Sequence, residues 1–312
     1  MQRFSVISGA TNVFAKRERR GVLLAATLAY ILVAFGAVLL SLAVFGGQLI
    51  AIAGVFTQAE ENPLAVIEAL TGVLAWLALV GFVFWLAFAA WEAAALRWLI
   101  RGEVGGLLGL KLDGDTLNVW LCQLTFIPVA LIIYAIGGVV FGIGWIARNA
   151  MGGGLGGGLA VFVATLLALA VVITLFLKFI PASALSVARR RYAFFESWNA
   201  TTGRALDLFG GLLLIIAVYV AFALLLWIVQ SVGLFAAGGS AALAGDPASL
   251  LAIGPTALLI AVIGAIASTV AGAIYQLALW GLLAALATDA TPREPPAMPA
   301  PREPALGGEA AG

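Results

Sequence analysis

Charged residues are missing from six long stretches of this chain. No Asp, Glu, Lys or Arg occurs in residues 21–59, 69–91, 116–147, 149–177, 208–245 or 247–288. Each stretch is longer than the roughly 20 apolar residues that an α-helix needs to cross the hydrocarbon core of a bilayer. Only 10% of the residues are charged, against about 25% in an average soluble domain. The sequence therefore predicts a multi-pass membrane protein.

The expected fold is all-α, with a six-helix transmembrane domain over residues 21–288. A disordered tail is expected over 289–312, which is rich in proline and has no aromatic residue. An N-terminal interfacial helix is expected over 1–20, where Ile7 and Phe14 share one helical face ahead of a basic cluster; a disordered basic leader is the alternative. The six spans are predicted at about 21–45, 72–100, 120–146, 157–180, 209–236 and 256–288.

The distribution of positive charge predicts the orientation. Of the 16 Lys and Arg residues, all except Arg148 fall on one side of a six-span topology. Positive charges are retained in the cytoplasm, so both termini should be cytoplasmic. An odd number of spans would divide the basic clusters between the two sides, so the count supports an even number.

The residue types that are absent exclude several kinds of site. The chain has no histidine and a single cysteine, Cys122, so it can form neither a Cys/His zinc site nor an intrachain disulfide. No cofactor is expected, and no catalytic or metal-binding residue is assigned.

Glu92 and Lys178 are the two residues inside predicted spans that could carry chemistry. Glu92 lies about two turns from the cytoplasmic end of the second span, and Lys178 lies at a similar depth in the fourth. Charged groups at such depth usually face the bundle interior, so we expect these two residues to approach each other and pair. A structural ion pair, separate snorkelling to the interface, and a proton or cation relay remain as interpretations.

The connection between the fourth and fifth spans contains four arginines and an aromatic anchor. Trp198 is expected at the membrane interface. Membrane lipids are the expected partners of the arginines, and nucleic acid is not, because a single juxtamembrane cluster lacks an extended basic surface with interleaved aromatics. The predicted contacts to anionic lipid are Arg189, Arg190, Arg191 and Arg204.

Small residues at a spacing of four predict close helix packing. Gly138 and Gly142 make such a step in the third span, and Gly264 with Ser268 and Ala267 with Ala271 do so in the sixth. We expect this packing to be mostly intramolecular, with a homodimer seam as the alternative. The oligomeric state is not predicted.

Two segments resemble a known family. The stretch ESWNATTGRALDLFG, residues 196–210, resembles a signature of a broad group of six-span bacterial inner-membrane proteins, and RFSVISGATNVFAKRERR, residues 3–20, is similar to the short helix with which they often begin. The group includes YciC-like proteins and the membrane domain that precedes some glycerophosphodiester phosphodiesterases. The resemblance implies a six-span helical fold in the bacterial inner membrane, and it carries over no catalytic residues.

These observations favour a non-enzymatic integral membrane protein with a scaffold, accessory or envelope-homeostasis role and a possible membrane-protein partner. The alternative is a transporter or a lipid-handling protein. A lipid substrate fits the sequence better than an ion, because no charged group lies at the middle of any predicted span.

Overall fold

The computed structural model describes Gly9, Thr11, Val13, Phe14 and residues 20–56, 63–236 and 255–291. The interfacial helix predicted over 1–20 lies mostly outside the described residues, as does most of the predicted tail. The helices are α1 (Arg20–Phe56), α2 (Pro63–Arg101), α3 (Gly114–Ala150), α4 (Leu155–Phe179), α5 (Ala182–Arg189), α6 (Ser197–Ala200), α7 (Ala205–Ala236) and α8 (Pro255–Ala290). A 3₁₀ turn at Phe194–Glu196 precedes α6.

The predicted all-α fold with six long apolar helices is confirmed. Within the described part of the chain, six helices are long and apolar enough to cross a membrane, and the protein is therefore a multi-pass membrane protein. The crossing segments are Gly21–Ser41, Trp76–Arg101, Gly114–Ala150, Leu155–Arg189, Ala205–Ala236 and Leu259–Ala290.

Several helices run beyond the predicted spans. Residues 46–56 and 63–71 were predicted as part of a connection, but they continue α1 and begin α2. A helix of 37 residues such as α1 is about 55 Å long at 1.5 Å per residue, which exceeds the roughly 30 Å hydrocarbon core. Pro128 lies within the continuous helix α3, whereas Pro181 separates α4 from α5.

Three pairs of long helices, each consecutive along the chain among the crossing segments, build the bundle. Helices α1 and α2, α3 and α4, and α7 and α8 pack as pairs, and α2 also contacts α3, α5 and α8. Helix α2 is therefore the central element that joins the pairs.

The best-buried side chains belong to the parts of the helices that meet around α2. Trp91, Trp98, Leu185, Leu208 and Leu286 are almost completely buried. The Trp91 indole N–H donates to Thr27 Oγ1 at 3.0 Å, and its ring lies 4.5 Å from the rings of Tyr30 and Trp280. This cluster ties α1, α2 and α8 together, and aromatic pairs of this kind contribute about 0.5–1.5 kcal/mol beyond their buried area.

The same part of the bundle carries the positive charge, and we call it the basic end. It contains every described Lys and Arg residue from Arg97 onward except Arg148, which lies at the far end of α3. Ion pairs and hydrogen bonds to neighbouring helices and connections hold these residues there: Arg97, Arg101, Lys111, Lys178, Arg189, Arg190, Arg191 and Arg204.

The described N-terminal residues are helical and pack into the bundle. Val13 is buried in the main hydrophobic core, and a Cβ added at Gly281 of α8 would lie 3.1 Å from the Gly9 carbonyl oxygen and 3.5 Å from Val13. Phe14 remains half exposed. The glycine at position 281 thus allows the N-terminal segment to lie directly against α8.

The tight contact between α3 and α4 depends on Gly137 and Gly144. A Cβ at Gly137 would lie 2.6 Å from Val172, and one at Gly144 would collide with Ala164. Gly138 and Gly142, the pair predicted to pack, have no atom within 4 Å of the Cβ position among the described residues. That part of the prediction is wrong as an intramolecular contact. In α8, Gly264 does meet a neighbour, the Gln230 side chain of α7.

We expect Gly144→Ala to destabilise the protein by about 1–3 kcal/mol, because the added methyl group overpacks the α3–α4 contact. Gly142→Ala is the matched control. It is the same substitution on the same helix, its methyl group enters open space, and it gains up to about 1 kcal/mol of helix propensity. Thermal unfolding of the purified protein in detergent measures both, and equal melting temperatures for the two variants would contradict this account.

Candidate functional site at the basic end of the bundle

Two arginines near the end of α2 form the centre of the polar contacts at the basic end. Arg97 and Arg101 are one helical turn apart, so their side chains lie on the same face of α2. Their side chains are 6% and 12% exposed. Cations buried to this degree are costly unless they are paired.

Both arginines reach the start of α3. Arg97 Nη1 lies 2.6 Å from Asp113 Oδ2, and Arg101 pairs with both carboxylate oxygens of Asp115. Arg101 Nη1 also donates to the Val187 carbonyl oxygen of α5 at 2.5 Å. The two side chains therefore fix α2, α3 and α5 relative to one another.

Asp113 has a second role as the N-cap of α3. Its Oδ1 accepts a hydrogen bond from the Thr116 amide at 3.2 Å, which satisfies one of the free N–H groups at the helix start. Burial by itself would raise the pKa of Asp113, but the Thr116 amide and the charges of Arg97 and Lys111 outweigh it, and the pKa lies below its ordinary value. Sequence reasoning missed this residue, although an Asp three positions before Thr116 at the start of an apolar run is a capping signal.

Glu92 is buried on α2, five residues before Arg97 and farther from the basic end. Its side chain accepts a hydrogen bond from Gln123 Nε2 of α3 at 2.7 Å, and the Ser183 hydroxyl of α5 is a further partner. Every residue from Ala89 to Leu99 is buried. The surroundings of Glu92 are therefore closely packed.

The ion pair expected between Glu92 and Lys178 is not formed among the described residues. Lys178 Nζ instead donates to Thr202 Oγ1 at 3.3 Å and lies 5.3 Å from the ring centre of Trp198. The sequence placed both groups at similar depth, but the helices turn them toward different neighbours. Trp198 is partly exposed, and its role as an interface anchor stays a prediction.

The four arginines predicted to contact anionic lipid each face a carboxylate of this chain. Arg189 and Arg191 both pair with Glu196, the latter at 2.6 Å. Arg190 lies 2.5 Å from Glu103, and Arg204 lies 2.5 Å from Asp289 at the end of α8. Arg190 and Arg191 remain mostly exposed, so a contact to lipid headgroups stays a prediction for them.

A second polar cluster links α3 to α5 and the connection that follows α5. Cys122 Sγ lies 3.2 Å from Ser186 Oγ, and this oxygen also accepts from the Ala193 amide at 3.0 Å. Thr125 Oγ1 and Tyr192 Oη are 2.8 Å apart. Each of these groups has a partner within the protein, which indicates a structural role.

Two apolar grooves flank the described N-terminal residues. The first, about 510 Å³, lies between α1 and α8 and includes Leu24, Leu28 and Trp98. The second, about 360 Å³, lies between α7 and α8. Phe14 and Ile274 line both grooves.

The other grooves have different surroundings. One of about 690 Å³ lies along α3 and α4 and includes Met151 at the far end of the bundle. A small polar hollow of about 270 Å³ at the basic end is bordered by Arg189, Glu196 and Asn199.

Among the residues that the structure describes, no group of three or more Cys, Asp or Glu side chains could hold a metal ion. No protein-family model matches the chain, and no match is found among curated proteins or solved structures. The resemblance to six-span inner-membrane proteins therefore stays a prediction.

We expect Asp113→Asn to destabilise the protein at neutral pH by about 2 kcal/mol, since it removes a charged partner of Arg97. The Asp113 pKa is lowered by folding, so its contribution is complete above the ordinary carboxyl pKa of about 3.9 and is lost as the pH falls through the lower folded value. Thermal melts at decreasing pH should show a steeper acid loss in the unmodified protein than in the variant.

The control for this prediction is Asp289→Asn, which breaks the more exposed pair with Arg204. An exposed pair contributes about 0–1 kcal/mol. Identical acid profiles for Asp113→Asn and the unmodified protein would contradict the role of Asp113.

We expect Glu92→Leu to cost about 1–3 kcal/mol, because the Gln123 amide and the Ser183 hydroxyl lose their acceptor inside the bundle. Glu92→Gln keeps a carbonyl oxygen there and should cost less. Combining Glu92→Gln with Lys178→Met should give additive losses within about 0.5 kcal/mol. The free energy of unfolding of the single and double variants measures this coupling. A larger coupling energy would contradict this account and support the predicted pair of Glu92 and Lys178.

Proposed function

We propose that this protein is a non-enzymatic membrane protein that binds lipid in the two grooves beside its N-terminal segment, as an accessory or lipid-handling factor. The single observation that supports this best is the pair of apolar grooves sharing Phe14 and Ile274. Binding sites for small molecules are typically concave and mostly apolar, with volumes of about 300–1,000 Å³.

The chemistry of the first groove fits a lipid chain. Its surface is mostly apolar, Leu24 and Leu28 in its wall are half exposed or more, and Ile274 is nearly half exposed. In a membrane-crossing region, such side chains face the hydrocarbon chains of lipids. An acyl chain can therefore enter from the bilayer without crossing a polar barrier.

The position of the grooves also suits an anionic headgroup. Leu23 and Trp98 line the first groove close to the basic end, and Lys16, Arg17 and Arg19 follow Phe14 in the sequence. Cationic residues near the membrane surface attract anionic headgroups by about 1 kcal/mol each. An anionic phospholipid is the ligand that combines both features.

The contacts of Glu92 favour lipid over ions as a substrate. An ion pathway needs a hydrated route lined by polar or charged groups, whereas Glu92 lies on a helix segment, residues 89–99, in which every residue is buried. The finer localisation is part of the same proposal: the bacterial inner membrane, with the basic end and both termini in the cytoplasm, as the positive-inside rule favours.

The alternative is a scaffold that binds a protein partner. Native purification followed by mass spectrometry separates the two roles, because a phospholipid retained through detergent exchange supports lipid binding. A stoichiometric protein partner without retained lipid would instead favour the scaffold role and contradict the proposal.

We expect Ile274→Trp to reduce retained phospholipid several-fold, since the larger side chain, which lines both grooves, narrows each of them. Ile263→Trp is the matched control: it lies on the same helix, its side chain is 57% exposed, and it lines neither groove. Lipid extracted per mole of protein measures the effect. Equal retention by the two variants, both with the melting temperature of the unmodified protein, would overturn the assignment of the grooves.

A further inference from the structure

The connection between α2 and α3, residues 102–113, carries exposed leucines at the basic end. Leu107 and Leu112 are 84% and 72% exposed, and Leu108 is more than half exposed. Moving a leucine side chain out of water contributes about 1.5–3 kcal/mol. Contact of these leucines with an apolar environment would therefore be more favourable than contact with water.

The backbone holds these leucines in a defined hairpin. The Leu110 amide donates to the Leu107 carbonyl oxygen at 3.0 Å, and Gly106, Leu108 and Gly109 have φ angles of +83°, +53° and +86°. A Cβ at Gly106 would collide with the Leu110 carbonyl oxygen. The turn is therefore specified by glycine, and the outward direction of Leu107 follows from it.

Both ends of the hairpin are attached to the bundle. Glu103 lies between Arg101, at 3.0 Å, and Arg190, at 2.5 Å. Near the other end, Thr116 Oγ1 donates to the Lys111 carbonyl oxygen at 2.6 Å. These contacts restrict how far the hairpin can swing away from the helices.

The tip of the hairpin lies against a membrane-crossing helix. A Cβ at Gly109 would lie 2.9 Å from Val22 Cγ1 and 3.3 Å from Ala26 Cβ, and both residues belong to the first crossing segment, Gly21–Ser41. Ala26 is six residues from the start of α1, which corresponds to about 9 Å along the helix axis. The hairpin thus folds back along α1 toward the bilayer.

From this placement we propose that residues 102–113 form a membrane-interface hairpin, in which Leu107 and Leu112 enter the lipid at the basic end. Leu107 and Leu112 lie two and three residues from Gly109, which touches Val22 and Ala26 of the first crossing segment. Interfacial elements bury their apolar side about 5–10 Å into the boundary between headgroups and acyl chains.

The charge next to the leucines fits the same environment. Lys111 lies between Leu110 and Leu112, its side chain is 57% exposed, and its ammonium group is 3.4 Å from Asp113. A lysine beside leucines that enter lipid can extend its ammonium group toward lipid phosphates. The hairpin therefore combines an apolar tip with a cation at headgroup level, which favours a lipid surface over a protein partner.

Fluorescence quenching in lipid nanodiscs tests the proposal. Leu107→Cys, Leu112→Cys and Lys111→Cys are each introduced into a Cys122→Ser chain, labelled with an environment-sensitive nitrobenzoxadiazole probe, and placed in phosphatidylcholine–phosphatidylglycerol discs. Lipids with a nitroxide high on the acyl chain should quench the probes at 107 and 112 several-fold more than the probe at 111. Aqueous iodide should show the opposite order.

Two outcomes would overturn the proposal. Strong iodide quenching with little nitroxide quenching at 107 and 112 would put the leucines in water, as expected for a docking surface for another protein. Equal nitroxide quenching at 107, 111 and 112 would mean that the hairpin does not direct its leucines to lipid. Labelled variants are compared only if they melt like the Cys122→Ser chain, and the two leucine positions provide independent readings.

Discussion

Two buried arginines one helical turn apart are the interaction on which the basic end of this protein depends. Arg97 and Arg101 leave α2 toward the start of α3, and Arg101 also reaches the backbone of α5. A guanidinium away from water needs carboxylate and carbonyl partners, so the positions of Asp113 and Asp115 are tightly constrained. The 102–113 hairpin, which connects these residues, takes its position against α1 from the same contacts.

Different contacts hold the helices together at the basic end and along the rest of the bundle, because lipid is the solvent around the helices. Lipid is as apolar as leucine, so helices gain little from burying leucines against each other and associate through small residues and polar contacts. Those contacts are concentrated at the basic end, around Arg97, Arg101 and Trp91. Beyond them, α3 and α4 stay close where Gly137 and Gly144 permit it. Apolar grooves remain open beside Phe14 and Ile274, one between α1 and α8 and the other along α7 and α8.

The charge-free stretches predicted the number and type of long helices correctly, but not their ends. A charged residue marks where lipid contact becomes costly, whereas a helix continues as long as its backbone hydrogen bonds do. Residues 63–71 therefore belong to α2 despite Glu68. The four-residue spacing of Gly138 and Gly142 was likewise ambiguous, because it indicates that two residues share a face without indicating whether that face meets a helix or lipid.

For the predicted site, too, the sequence indicated some properties and the packing of the helices decided others. That Glu92 and Lys178 lie within apolar segments follows from the order of residues alone, because the cost of a charge in lipid depends on local polarity and segment length. Their partners depend on how far each helix is rotated and shifted against its neighbours. That relative placement is settled by contacts between residues distant in sequence, such as Arg101 with Val187 and Gln123 with Glu92. The order of residues thus determined that this is a membrane protein with six long helices. The packing of the helices decided the different partners of Glu92 and Lys178 and the close contact of α3 and α4 at Gly144. It also decided where the grooves lie and that the 102–113 hairpin contacts α1.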